Sequence, residues 1–242
     1  MSSRRANGSR HAVTRKAIVF GCLFFVAATV AAMLVYPGGT HLDPHTEGYN
    51  FLDNTFSELG RTEGYLGQTK GVSFVLFLLA TLVAGAALVA FFAVEAAQAK
   101  DAGGGRVAAR TAVVFGAITG TGFAGIGLTP TDIIPAIHYV FVYTAFTAYI
   151  PATAALFAAW RNAAPADDSR RRVRLRTYAV FFVVLAAYLA LITVTPAADP
   201  RTVHVLLTSG QKIIVYVALT VVGFLSVDDV RRSAGGGDLR RS

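Results

Sequence analysis

Gln211 and Lys212 interrupt an otherwise apolar stretch near the end of the chain, and they are the first residues whose chemistry asks for an explanation. From Ile213 to Val227 there are 15 residues, about 22 Å of helix, too short to cross roughly 30 Å of hydrocarbon. The helix must therefore begin earlier. Asp199 followed by Pro200 supplies an N-cap and a first-turn proline, which embeds Lys212 below the membrane surface. His204, Thr208 and Gln211 then fall on one stripe with Lys212 beside it. An embedded cation of this kind either pairs inside the bundle or snorkels to the interface.

Two further clusters carry polar groups. In Asp53-Asn54-Thr55-Phe56-Ser57-Glu58-Leu59-Gly60, the residues Asn54, Ser57 and Glu58 share a helical face. Thr55 and Glu58 also read as a capping box, with Gly60 as the stop. In Thr129-Pro130-Thr131-Asp132-Ile133-Ile134-Pro135-Ala136-Ile137-His138, Asp132 is positioned to cap the following helix, and His138 lies a turn deeper. With Lys212, these clusters outline a pocket containing Asn54, Ser57, Glu58, Asp132, His138, His204, Gln211 and Lys212. Glu58 or Asp132 is the natural countercharge for Lys212. His41-Leu42-Asp43-Pro44-His45 offers separate metal-ligating residue types, but Pro44 breaks their helical alignment.

The elements that must position these groups are membrane helices. Hydrophobic residues make up 54% of the chain, in excess of what a soluble core requires. They gather into six stretches: 17–36, 72–94, 111–128, 133–160, 178–194 and 203–227. Stretches this long with so few charges have no polar face for water, and a helix satisfies its own backbone in lipid. Barrel-type alternation is absent. The fold class is all-α, a polytopic bundle of six transmembrane helices over residues 17–230. An outer loop spans 37–71, and the basic tail 1–16 and the tail 231–242 are expected to be disordered.

Of the 22 Lys and Arg residues, 18 fall in the tails and in the loops after the second and fourth spans. By the positive-inside rule both termini are cytoplasmic, in a multi-pass protein of the cell membrane. The net charge of +8 is then a topology signal that also meets anionic lipid, and it does not argue for nucleic acid. The first span is too long for a cleaved signal. Cys22, the single cysteine, lies inside it, so there is no intrachain disulfide. Gly116, Gly120, Gly122, Gly125 and Gly127 mark the third span as a close-packing helix. Tyr36, Trp160 and Tyr178 fit interfacial aromatic belts.

The order of Asn54, Ser57, Glu58, Leu59 and Gly60 after span one, followed by Pro130-x-Asp132-x-x-Pro135-x-x-His138 before span four, resembles the family called domain of unknown function 998. More distantly it is similar to Frag/DRAM/Sfk-type six-helix membrane proteins. The resemblance covers all six spans and implies the fold and the outer polar cluster, without a substrate or reaction.

Three roles are compatible with this sequence. The first is non-enzymatic binding of a membrane lipid headgroup or small polar ligand, with Lys212 taking an anionic group and no cofactor. The second is a zinc-dependent intramembrane hydrolase of a lipid ester or amide, with Asp132, His138 and His204 as ligands. It looks in outline like the alkaline-ceramidase superfamily, but span six here has one histidine where that pattern has a His-xxx-His pair. A Lys⁺ nearby would also oppose a metal. The third is a solute transporter or structural subunit. Binding ranks first, because no pair of interrupted helices points to a transport repeat.

Overall fold

The computed structural model describes residues 2–164, 168–194 and 199–238. Six helices are present: α1 (Ser2–Leu34), α2 (Gly71–Asp101), α3 (Arg106–Leu128), α4 (Pro135–Arg161), α5 (Asp168–Val194) and α6 (Pro200–Asp238). Each contains a segment long and apolar enough to cross a membrane, and the described residues form no strand beyond isolated bridges. The protein is a multi-pass membrane protein. Beyond the membrane-crossing segments His11–Leu34 and Pro200–Ser233, the helical path continues back to Ser2 and on to Asp238. Met1 and residues 239–242, with Arg240 and Arg241, lie outside the described residues.

The helices close into a ring in which α1 packs on α2 and α6, α3 lies between α2 and α4, and α5 bridges α4 and α6. The α2–α3–α4 side is the tight one, and the α3 glycines explain why. A Cβ at Gly120 would stand 2.5 Å from the carbonyl oxygen of Gly85 on α2, and one at Gly122 would stand 2.9 Å from the Cβ of Ala145 on α4. Successive small residues thus bring α3 into backbone contact with both neighbours, as the sequence suggested. Cys22 is buried in α1 against Gly223.

The opposite side is looser. Helix α5 is the least embedded of the six, and among the described residues the backbones of α4 and α6 do not come close together. Exposed Phe20, Leu23, Val180 and Val183 form the outward surface expected of helices that meet lipid. At the end away from the termini, residues 37–70 fold as a cap. Gly38 and Gly39 turn the chain through positive φ, which glycine adopts without strain. A bridge joins Gly38 to Glu47, another joins Glu63 to Thr69, and a single 3-10 turn runs from Phe56 to Gly60.

Candidate functional site

The cap is seated on α6 by three consecutive backbone carbonyls. Thr208 Oγ1 donates to Leu52 O, His204 Nε2 donates to Asp53 O at 3.0 Å, and Lys212 Nζ donates to Asn54 O. Three donors at helical spacing meet three successive acceptors of one turn, which is closed by the Asn54 amide donating to Asn50 O at 2.8 Å. Arg201 pairs with the Asp53 carboxylate at the rim. Asp199 caps the helix start by accepting the Thr202 amide at 3.0 Å, so the expected beginning of α6 at Pro200 is the observed one.

Lys212 is fully buried and does not snorkel. The expectation of a direct carboxylate partner is corrected: among the described residues, no Asp or Glu lies within ion-pair distance of it. A carbonyl and the faces of Phe51 and Tyr49, at 4.6 and 5.5 Å, surround the ammonium instead. Those groups partly replace hydration. The Glu58 carboxylate reaches it only through Asn54, whose Nδ2 donates to Glu58 Oε2 at 3.0 Å and to Gly39 O at 2.9 Å.

Glu58 organises the rest of the cap. Its Oε2 accepts the Thr55 amide at 2.6 Å, the acidic half of the anticipated capping box. Tyr65 donates to Oε1. Lys70, also buried, donates to the Tyr36 hydroxyl and lies 3.8 Å from that ring's centroid. Burial pushes its ammonium down to about 8, nearby Arg61 acting in the same direction and Glu58 and Asp132 opposing. Burial, and then the negative field of Glu58, push the Tyr36 hydroxyl well above its ordinary range. Tyr36 is thus a buried part of the cap, which corrects its reading as a belt residue.

Asp132 does not cap α4. Ile134 occupies the N-cap position, and the Asp132 carboxylate accepts Thr62 N at 2.9 Å, Thr62 Oγ1 at 2.7 Å and Glu63 N at 2.9 Å. It ties the α3–α4 corner to the cap. Burial works to raise its pKa, but these donors outweigh it and hold the carboxyl below the usual range. His138 is buried on α4 with Nδ1 2.6 Å from Thr129 O, and its Nε2 has no protein partner.

The proposed ligand set of Asp132, His138 and His204 therefore does not converge. Each is engaged with a different stretch of backbone, and no group of three His, Cys, Asp or Glu side chains suited to a metal occurs among the described residues. These three side chains are not gathered as a tetrahedral zinc centre requires. His41 and His45 are exposed, and Asp43 between them accepts the His45 amide at 2.9 Å in a tight turn.

Beneath the cap, where α4 and α6 stand apart, lies a cleft of about 510 Å³ closed on one side by α5. Its walls are apolar and aromatic, among them Phe146, Phe181, Leu185, Leu207 and Leu219. At the cap end Thr55, Thr208 and Gln211 line it, and Thr147 and Tyr149 of α4 and Tyr188 of α5 add hydroxyl-bearing side chains further along. Beside it, Ser57 and Gln211 share a smaller void of about 30 Å³, room for a buried water. Of the eight residues the sequence brought together, only Gln211 lines the cleft and only Ser57 and Gln211 the void.

The termini end carries a second polar centre that the sequence reading missed. Glu95 of α2 is completely buried. It accepts from Arg15 of α1 at 2.6 Å, Arg174 of α5 at 3.3 Å and the Trp160 indole of α4 at 2.9 Å. The Tyr178 hydroxyl adds a contact at 3.3 Å. Asp229 of α6 pairs with Arg15 at 2.8 Å and Arg174 at 2.5 Å, and Asp228 with Arg174 at 2.8 Å. Five helices are thereby joined. Trp160 and Tyr178 face this network and not a lipid belt, which corrects their expected role. Glu95 and Asp228 each fall one residue beyond the apolar spans as delimited from sequence; carboxylates at the ends of two spans on the arginine-rich side were the available signal.

A family-wide sequence profile described as "Protein of unknown function (DUF998)" matches residues 19–228. Comparison with curated proteins and with solved structures finds no match.

Proposed function

This chain belongs to the DUF998 family, and from that premise we propose that it binds a membrane lipid, taking the acyl chain laterally into the cleft between α4, α5 and α6. The observation that carries this reading is the shape and polarity of that space. From Leu207 to Leu219, both lining it, α6 rises about 18 Å, somewhat more than half of a hydrocarbon core of about 30 Å. Its volume falls within the range of small-molecule sites. A chain from one leaflet would lie among the aromatic walls, with its ester or hydroxyl groups near Thr55, Thr208 and Gln211.

In this reading the termini are cytoplasmic, supported by the Lys and Arg distribution, and the cap faces the outside of the cell membrane. The polar end offers neutral hydrogen bonds to the headgroup, because Lys212 and Glu58 are already engaged by the cap. Catalysis and transport have no specific observation in their favour.

Native mass spectrometry of the detergent-purified protein tests the proposal. Ala218→Trp fills the floor of the cleft and Leu207→Trp its rim. Each is expected to reduce co-purified lipid about tenfold or more, the loss of roughly 1.4 kcal/mol of binding. A folded variant of either kind that retains lipid as the wild type does would reject the cleft as the site.

A further inference from the structure

A separate cavity lies at the termini end, on the outer surface between α2 and α3. It holds about 510 Å³ and is walled by alanines and valines of the two helices, with Lys100, Arg106 and Arg110 at its mouth. On α2, Ala93, Ala96, Ala97 and Lys100 follow at i, i+3, i+4 and i+7; on α3, Arg106, Arg110, Val113 and Val114 follow at i, i+4, i+7 and i+8. Each set is one helix face. Both faces run from apolar in the membrane to cationic at its edge.

From this we infer a binding site for an anionic phospholipid, its phosphate held by Lys100, Arg106 and Arg110 and the start of its chains lying in the groove. Three observations select that occupant. The three cations are exposed and form no ion pair among the described residues, so their charge is available to a ligand. No acidic residue lines the cavity: of the α2 carboxylates on this side, Asp101 follows Lys100 at the helix end but is not part of the lining, and Glu95 is buried with Arg15 and Arg174. Helix α3 starts at the mouth from Gly105 without a side-chain cap, leaving its first amides and the positive end of its dipole for an anion.

Topology alone requires basic residues in this loop. It does not require them to align with a groove. A basic pocket between transmembrane helices is a known form of headgroup recognition, and the walls here extend about 10–12 Å along each helix, enough for the glycerol and first methylenes of a chain. The inference stands independently of the cap-side cleft, since the two sites share no residue.

The test uses the full-length protein with equal amounts of phosphatidylglycerol and phosphatidylcholine, and native mass spectrometry reads the bound lipid. Wild type should prefer phosphatidylglycerol. The K100Q/R106Q/R110Q variant should lose at least about tenfold of that preference, as each basic residue near an anionic surface contributes roughly a factor of five. Ala97→Phe keeps every charge and fills the groove, and it should lower phosphatidylglycerol retention to a similar degree. Retained preference in the triple variant would overturn the site, and wild-type retention in Ala97→Phe would reduce it to diffuse attraction by the loop.

Discussion

The Lys212 ammonium of α6 donates to the backbone carbonyl of Asn54, so the embedded cation that looked like a ligand site is the bolt that fastens the cap to the bundle. Its neighbours along the helix do the same work, Thr208 on Leu52 and His204 on Asp53. Lys212→Met removes the donor and leaves the Asn54 carbonyl with only the Tyr49 hydroxyl at 3.3 Å. A loss of about 1–3 kcal/mol is expected, seen as a lower unfolding temperature in detergent together with faster proteolysis within residues 37–70. Unchanged cleavage of that segment would show that the cap is held by other contacts.

At the other end, Glu95 is the anion on which Arg15, Arg174, Trp160 and Tyr178 converge. Glu95→Ala leaves two buried arginines short of a partner, and breaking a buried pair in this way costs about 3–5 kcal/mol. Trp160→Phe removes one donor to the carboxylate and should cost less, about 1.5–3 kcal/mol. Thermal unfolding of the two single variants and the double variant measures the coupling. Additive effects would mean that the indole and the carboxylate do not interact.

Lys70 makes stability depend on pH. Its folded-state pKa is lowered to about 8, below the ordinary lysine value of about 10.4, so between these limits the unfolded chain binds the extra proton. Stability from this group therefore rises as pH increases from about 8 to about 10.4 and is lost as pH falls back through 8. The unfolding temperature of wild type relative to Lys70→Met should increase across that window. A flat difference would place the ammonium in a more solvated site.

Gly120→Leu should be among the most damaging single changes in the bundle. The added Cβ alone would approach the Gly85 carbonyl oxygen to 2.5 Å, and both atoms belong to packed helices that have no room to part. Overpacking typically costs about 1–3 kcal/mol, and a backbone clash belongs at the top of that range. Size-exclusion profiles of the detergent extract report the loss. Gly48→Ala in the cap, where a Cβ meets nothing within 4 Å but φ is +63°, should cost less and leave the bundle intact.

How far the sequence could be read is visible in α6. Its start at Pro200 and its polar stripe followed from residues close together in the chain, because capping and helical period are local. The partners of that stripe lie about 150 positions earlier, and nothing in the spacing of His204, Thr208 and Lys212 distinguishes a backbone carbonyl from a ligand. Asp132 shows the same limit. Its neighbours suggested an N-cap, yet Thr62 and Glu63 offered three donors from the cap. Trp160 and Tyr178 sit at span ends, as belt residues do, but which side of the helix faces lipid depends on the packing of five helices around Glu95.

Hydrocarbon thickness, backbone self-satisfaction and side-chain period act within one segment, so the sequence by itself determined six membrane helices, the glycine-rich packing of α3 and the beginning of α6. Burial, pairing and open space arise only when segments meet. Tertiary structure alone decided that Lys212 binds a carbonyl, that Glu95 gathers the arginines, and that α4 and α6 stand far enough apart to leave a cleft.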